Sequence, residues 1–541
     1  MKIGLTNIVS CKIGSTQVNR VYIGSTLIWS YSAFDPDAQL FITNAAITEP
    51  VQQNAVNNLV LSLKSYGVWT KMKALYPFVG GTAAQHKFNL RNPVDSDSAF
   101  RLVFNGGWTH SVNGAKPNGT NAYANTFFKG GNWTSKDNAH MSYYSRTDFN
   151  GSVMIDMGVD DSPSNSNIRS RDGNTTYMAF NGGSFLQGAS ANSLGLFMSN
   201  RNVVGTLNGW KNSTKISEIA STSVNSNVVP YALSAYNNAT SPIYYSIREC
   251  AFSSFGDGLT DTEAANYYTA VQTFQTKLLR QVGVPIVADS DAQAFLNAAV
   301  IENVTQANAV NTLVTDLKGY GIWTKMKAIY PFIGGTSTQH KYNLRNPLDT
   351  DAAFRLVFNG GWVHSSTGST PNGVNAYANT FLIPSSILSL NSTHLSVYSR
   401  TNIVSNSVEI GSSGSGGGSP YLLMQTRISG DLIAAALNDN GAGIKASNVN
   451  SFGFHLGNRT GASVKNTFKN GVKILSDTHP STSLNSNNIF ISSYNTGNLI
   501  PDLYSSREKA FSSIGDGLTD TEAANYYTAV QAFQTTLSRN V

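Results

Sequence analysis

Cleavage of a glycosidic bond needs two carboxylates flanking it, roughly 5–10 Å apart. Along a strand that spacing calls for acids at i and i+2 or i+4 on one face. Asp156 with Asp160 comes nearest to it, and the related stretch SVEIGSSGSGGG keeps only Glu409. The acids that do recur are Asp95/Asp97 with Asp349/Asp351, and Asp257/Asp261/Glu263 with Asp516/Asp520/Glu522. The first set lies in an NPxDxD loop and the second at the start of a helix, where turn and capping roles account for them. Hydrolysis is therefore disfavoured, and the sequence reads as that of a non-enzyme.

Six of the eight histidines also recur, as His86/His340, His110/His364 and His140/His394. No HxH or HxxxH spacing gathers them into a zinc site, so no metal is expected. The oxygens of DGLTDTE offer calcium some ligands, although helix capping is the simpler role. No cofactor is otherwise indicated.

Sugar recognition asks for an aromatic face to stack on and for planar amide or guanidinium groups to meet hydroxyls. Trp108 and His110, with Tyr144 and Arg146, supply such groups, and Trp362, His364, Tyr398 and Arg400 repeat them. These eight are the glycan-binding candidates. The alternatives are that Trp108 fills a sandwich core and that the His140/Tyr144/Arg146 row is covered by the amino-terminal helices.

The elements that must position these groups come in two copies. FRLVFNGGW at 100–108 returns at 354–362, and YSRT at 144–147 returns at 398–401. GDGLTDTEAANYYTAVQ stands at 256–272 and, unchanged, at 515–531. The repeat is a whole domain long, far beyond a solenoid unit. It divides the chain into a head at 1–32, domain one at 33–281, a linker at 282–287 and domain two at 288–541. The copies differ most at 148–190 and 402–450. Binding specificity normally lives on variable loops, which makes those regions the preferred binding surface.

Each copy opens with helices. Asp35-Pro36 reads as an N-cap followed by proline at the first helical position, and AVNNLVLSLKSYGVW continues with helical period. Short alternating strands follow: in HMSYYSRT, Met141 and Tyr143 face one way and His140, Tyr144 and Arg146 the other. KNGVKI at 469–474 predicts a hairpin through Asn470-Gly471, with KNSTKI at 211–216 as its twin. A capping box at Thr260 and Glu263 begins a closing helix, with Leu259 and Ala264 placed as a hydrophobic staple. Ala264, Tyr267, Val271, Phe274 and Leu278 form its apolar stripe, suited to the adjacent sandwich or to an oligomer contact. The fold class is mainly β: two tandem antiparallel sandwiches with amino-terminal helices and a closing carboxy-terminal helix.

Composition narrows the setting. The 541 residues are only 13% charged with a net charge of +6, and the basic residues are scattered. Nucleic acid binding has little support from such a pattern. No apolar run reaches membrane-spanning length, and MKIGLTNIVSCKIG lacks the apolar stretch of a secretory signal. The two cysteines, Cys11 and Cys250, lie far apart, and Lys509 stands where Cys250 would repeat.

The series RLVFNGGW, PNGTNAYANT, YSRT, SAYN and RECAFSSFGDGLTDTEAANYYTAVQTFQ, repeated in copy two, resembles tailed-bacteriophage virion proteins with concanavalin A-like, laminin-G-like lectin domains. It spans essentially all of 33–541. VYIGSTLIW at 21–29 resembles short segments that open tail, baseplate and fibre proteins, and IGST recurs at 13–16 and 23–26. The resemblance implies a structural or adhesive role on a virion, as a head or tail fibre or a decoration. It implies other virion proteins as partners, a homo-oligomer, and host surface glycans as a ligand. The head is then either a virion anchor or an extra strand pair on domain one.

Overall fold

The computed structural model describes residues 34–151, 153–224, 228–239, 241–441 and 445–541, together with the backbone of short strands between residues 12 and 30. In the head, Lys12–Ile13 pairs with Thr16–Gln17 and Arg20–Ile23 pairs with Thr26–Ser30, both antiparallel. The head's side chains, on which the anchor reading depends, lie outside the described residues. The chain divides into two compact units at Gly283/Val284.

In domain one the first sheet runs Thr214–Ala220, Thr206–Lys211, Gly195–Arg201, Ala139–Ser145, Cys250–Gly256, Gly114–Pro117, Trp108–Ser111, and Met72–Tyr76 also pairs with Cys250–Gly256. The second runs Leu186–Ala189, Thr175–Gly182, Ser164–Asp172, Met157–Asp161, Ala232–Leu233, Tyr123–Asn125, Val103–Asn105. Domain two repeats both orders. Pairing is antiparallel except where Tyr236–Asn237 lies parallel to Met157–Asp161, with Tyr494–Asn495 its counterpart, and at a single parallel bridge between Ile155 and Tyr245. Each domain is thus a β-sandwich, as the alternating strand pattern predicts.

Alternation along each strand sends its side chains to two different cores. Met141 and Tyr143 meet Met157, Ile168, Met178 and Leu233 between the sheets. Tyr144, Leu196, Met198 and Trp210 point the other way, into a core shared with the helices Pro36–Asn44, Pro50–Ser65 and Asp261–Lys277. The central strands of the first sheet, Gly195–Arg201, Ala139–Ser145 and Cys250–Gly256, therefore have both faces buried. Among the described residues no helix lies on the outer face of the second sheet.

The closing helix begins as predicted, with reciprocal Thr260 and Glu263 bonds forming a capping box. Its apolar stripe lies on the first sheet of its own domain. Polar contacts then fix its rotation. Tyr267 donates to Ser254 Oγ at 2.6 Å, and Gln272 Oε1 accepts from the Tyr144 hydroxyl at 2.8 Å. Tyr526 with Ser513 and Gln531 with Tyr398 repeat them. Both predicted hairpins form, Asn470 and Gly471 taking φ of 48° and 75° at the tight turn, where glycine is free of strain.

One device of the fold has no signature in the sequence. Arg280, 1% exposed just past the closing helix, donates to the carbonyls of Phe78 (2.7 Å), Pro77 (2.7 Å), Val112 (3.0 Å) and Ala251 (3.0 Å), and to Gln275 Oε1 (2.7 Å). Arg539 makes the matching bonds to Phe332, Pro331, Ala510 and Gln534. Burial lowers both guanidinium pKa values to about 9. Arg280→Met is expected to leave several carbonyls unpaired and to cost domain one about 3–5 kcal/mol, read as a lowered urea midpoint. Arg280→Lys, without the planar fork, is expected to recover less than half of that loss.

Candidate functional site

The eight predicted residues do not form one surface. Trp108 is half-buried on the edge strand of the first sheet, its indole N–H donating to the Asn105 carbonyl at 3.0 Å. Its ring meets Phe104 edge-on at 5.2 Å and stacks on His110 at 6.1 Å. His110 Nδ1 faces His86 Nδ1 at 2.9 Å. Trp362, Phe358, His364 and His340 repeat the cluster with nearly the same distances. Burial holds His86 and His340 neutral, and lowers His110 and His364 as well.

Tyr144 and Tyr398 require a correction. Both are 0% exposed. The cover is chiefly the closing helix, through Gln272 and Gln531, so neither ring can receive a sugar. His140 is buried in the same row, its Nδ1–H donating to the Asp257 carbonyl at 2.7 Å. Arg146 and Arg400 are half-buried, paired with Glu249 at 2.6 Å and Glu508 at 3.0 Å and donating to the carbonyls of Arg280 and Arg539. These four candidates hold the closing helix in place.

The Asp156 carboxylate is equally occupied. It is fully buried, bonded through both oxygens to Arg248 at 3.1 Å, and accepts from Ser170 N, Ser170 Oγ and Ser246 Oγ. Glu409 takes its place in domain two against Arg507, with Lys509 Nζ 2.8 Å away where domain one has Cys250. Burial opposes ionisation of Glu409, but Lys509 and Arg507 outweigh it and bring the pKa to about 2. At DGLTDTE, Asp257, Asp261 and Glu263 pair with Lys73, Lys215 and Lys71. Among the described residues no three His, Cys, Asp or Glu side chains gather as metal ligands.

The open face of the second sheet carries a different set of groups. In domain one it presents Asp160, Asn165, Arg169 and Tyr177, all half-exposed, with the Arg169 guanidinium 5.1 Å from the Tyr177 ring centre. Asn167 lies beneath them, bonded to Asn165 Oδ1 at 2.7 Å. Tyr236 lies over Gly158, where an added Cβ would sit 2.9 Å from the ring. Tyr244, 48% exposed, follows at 6.3 Å. Aromatic rings beside amides, a guanidinium and a carboxylate are the chemistry that sugar recognition asks for.

In domain two the outward positions of Tyr421–Ile428 are Tyr421, Leu423, Gln425 and Arg427, alternating with buried Leu422, Met424, Thr426 and Ile428. Strand register equates Asn165 with Tyr421, Asn167 with Leu423, Arg169 with Gln425, and Tyr177 with Ala434. None of these pairs is identical. The divergent regions 148–190 and 402–450 thus supply most of the outward face, although Arg171 and Arg427 keep one outward position and the repeated motifs contribute Val103–Asn105, Tyr123–Asn125 and Tyr236 to the same sheet. No single residue of the face stands out in the sequence; the alternation within YLLMQTRI is the signal that could have found it.

No family model and no curated protein matches the chain. Among solved structures it is similar to domain 4 of an extracellular arabinanase from Geobacillus stearothermophilus in complex with arabinotriose, at 12% identity over 36% of this chain and 98% of that one, TM-score 0.26. It is similar to mouse laminin alpha1 domains LG4-5 at 10% identity over 71% and 88%, TM-score 0.20. Trypanosoma rangeli sialidase follows at 9% identity over 68% and 61%, TM-score 0.28. Likenesses this slight do not fix a function.

Proposed function

We propose that this chain is a non-enzymatic glycan-binding protein whose two lectin-like sandwiches bind sugars on the open faces of their second sheets. The observation that carries it is the contrast between the two sheets of each domain. Beneath the closing helix the copies keep Tyr144/Tyr398, Ser142/Ser396, Ser254/Ser513, Tyr267/Tyr526 and Gln272/Gln531. On the open sheet they exchange Asn165, Asn167, Arg169 and Tyr177 for Tyr421, Leu423, Gln425 and Ala434, as two binding faces of different specificity would, while Arg171/Arg427 and Tyr236/Tyr494 are kept. Buried, saturated Asp156 and Glu409 support a role without hydrolysis.

The sequence resemblance and the charge-poor composition extend the proposal to its setting. The chain is a structural component of a tailed-phage particle, homo-oligomeric, held among other virion proteins and directed at host surface glycans. The role asks for neither nucleic acid nor membrane insertion, and it needs no cofactor.

Glycan-array binding by the full chain tests the reading. Tyr177→Ala combined with Arg169→Ala is expected to weaken one set of glycans about tenfold or more, and Trp108→Phe to leave binding unchanged. Silence on the array from folded protein would leave a purely structural role. Release of reducing ends from host polysaccharide would contradict the non-enzymatic reading. Absence of the chain from purified particles would remove the virion.

A further inference from the structure

The open face of domain two differs from that of domain one in shape and in charge. It holds a depression of about 280 Å³ lined by Tyr421, Leu423, Gln425, Ala434, Asn440 and Lys445. Domain one has Tyr177 and Arg169 where this groove has Ala434 and Gln425, so loss of two large side chains opens the space. Its aromatic wall is fixed at both edges. The Tyr421 hydroxyl donates to the Gly417 carbonyl at 2.8 Å, and Gly441, at φ +77°, lies so close that an added Cβ would sit 2.9 Å from the ring.

Charge changes in step. Asp160 and Asp172 of domain one correspond by register to Ser413 and Ile428, both buried and uncharged. Of the residues that line the groove, Lys445 alone is charged, and it is exposed. Neighbouring acids are committed elsewhere: Asp439 is buried against Arg459 and Lys465, and Asp431 pairs with Arg427. Asp502 acts on Tyr494 and does not line the groove. A carboxylate brought here meets a cation and no opposing acid.

The remaining groups narrow the ligand further. Gln425 spends its Nε2 on the Asn406 carbonyl at 2.9 Å, which points to its Oε1 as an acceptor for an N–H. Ala434 and Leu423 provide an apolar floor beside it. An amide N–H over Gln425 and a methyl over Ala434 are the two parts of an N-acyl group.

We propose that this groove binds an acidic, N-acylated sugar residue, its carboxylate toward Lys445, its N-acyl group on Gln425 and Ala434, and its ring against Tyr421. The inference rests on the glycan-binding reading and adds the ligand class for domain two.

The test titrates the full chain with three methyl glycosides: N-acetylneuraminic acid, which carries both groups, N-acetylglucosamine, which lacks the carboxylate, and glucuronic acid, which lacks the N-acyl group. The first is expected to bind about tenfold or more tighter than either of the others. Lys445→Glu is expected to abolish that preference, and Ala434→Tyr, which refills the groove, to abolish binding of the first. Val204→Ala, at an exposed turn of the covered sheet in domain one, is expected to leave it unchanged. An unaltered urea midpoint for Lys445→Glu, an exposed position, separates lost binding from lost folding. Equal binding of the three glycosides, or indifference to Lys445→Glu, overturns the assignment. If other glycans still bind on an array, the glycan-binding reading survives that result; if none binds, both fall.

Discussion

Asp156→Ala is expected to destabilise domain one by about 3–5 kcal/mol and to leave domain two as it was. The change strands Arg248, 0% exposed, without its counter-ion in a site closed to water. Removing one partner of a buried pair typically costs that much, a large part of a domain's total stability. Three hydroxyl or amide donors, Ser170 N, Ser170 Oγ and Ser246 Oγ, lose their acceptor as well. Glu409→Ala is expected to act likewise on domain two, where two cations, Arg507 and Lys509, lose their shared anion. Two-step urea unfolding, with one midpoint lowered in each variant, checks both. A catalytic acid would behave otherwise, with activity lost and the midpoint kept.

Acid is expected to unfold domain two before domain one. His140 in domain one and His394 in domain two are buried and neutral, and burial lowers each pKa to about 4; in domain two, burial lowers His455 to about 3. His86 and His340 are lowered in the same direction. A histidine whose folded pKa lies below its unfolded value of about 6.5 contributes fully above pH 6.5. That contribution declines as pH falls toward the folded pKa, because the unfolded chain takes up the proton first. At pH 5 each such histidine costs about 2 kcal/mol, and domain two has three of them where domain one has two. The extra one is His455, which strand register equates with Phe197. His455→Phe is expected to bring the two acid transitions together. Persistence of the gap would assign it to other groups.

The sequence reading reached furthest where local chemistry and patterning agree. The capping box, the Asn-Gly hairpin and the strand alternation are each written in a few adjacent residues, and each forms. It failed where the answer depends on what lies above a strand. The pattern HMSYYSRT separates two faces but does not say that the face bearing Tyr144 lies under the closing helix. Arg280 carries no local signature, since its acceptors come from residues as distant as Pro77. The open face was legible only as a region of divergence. Its members, such as Arg169 and Tyr177, become neighbours through strand register rather than through any motif.

Those failures also account for the 17-residue identity between the closing segments. Tyr267 and Gln272 must meet Ser254 and Tyr144, and Glu263 must meet both Thr260 and Lys71. A helix tied to its sheet by that many polar contacts has little freedom to drift. The second sheet's outer face, which carries no closing helix among the described residues, differs between the copies at most of its outward positions.

Photoaffinity labelling would locate the bound glycan on the sandwich. A diazirine-bearing form of the tightest glycan from the array would be crosslinked to the full chain and mapped by mass spectrometry. Label is expected on the open faces, within 157–189 or 421–445. Label confined to Trp108 and His110 or to Trp362 and His364, on the edge of the covered sheet, would contradict binding there.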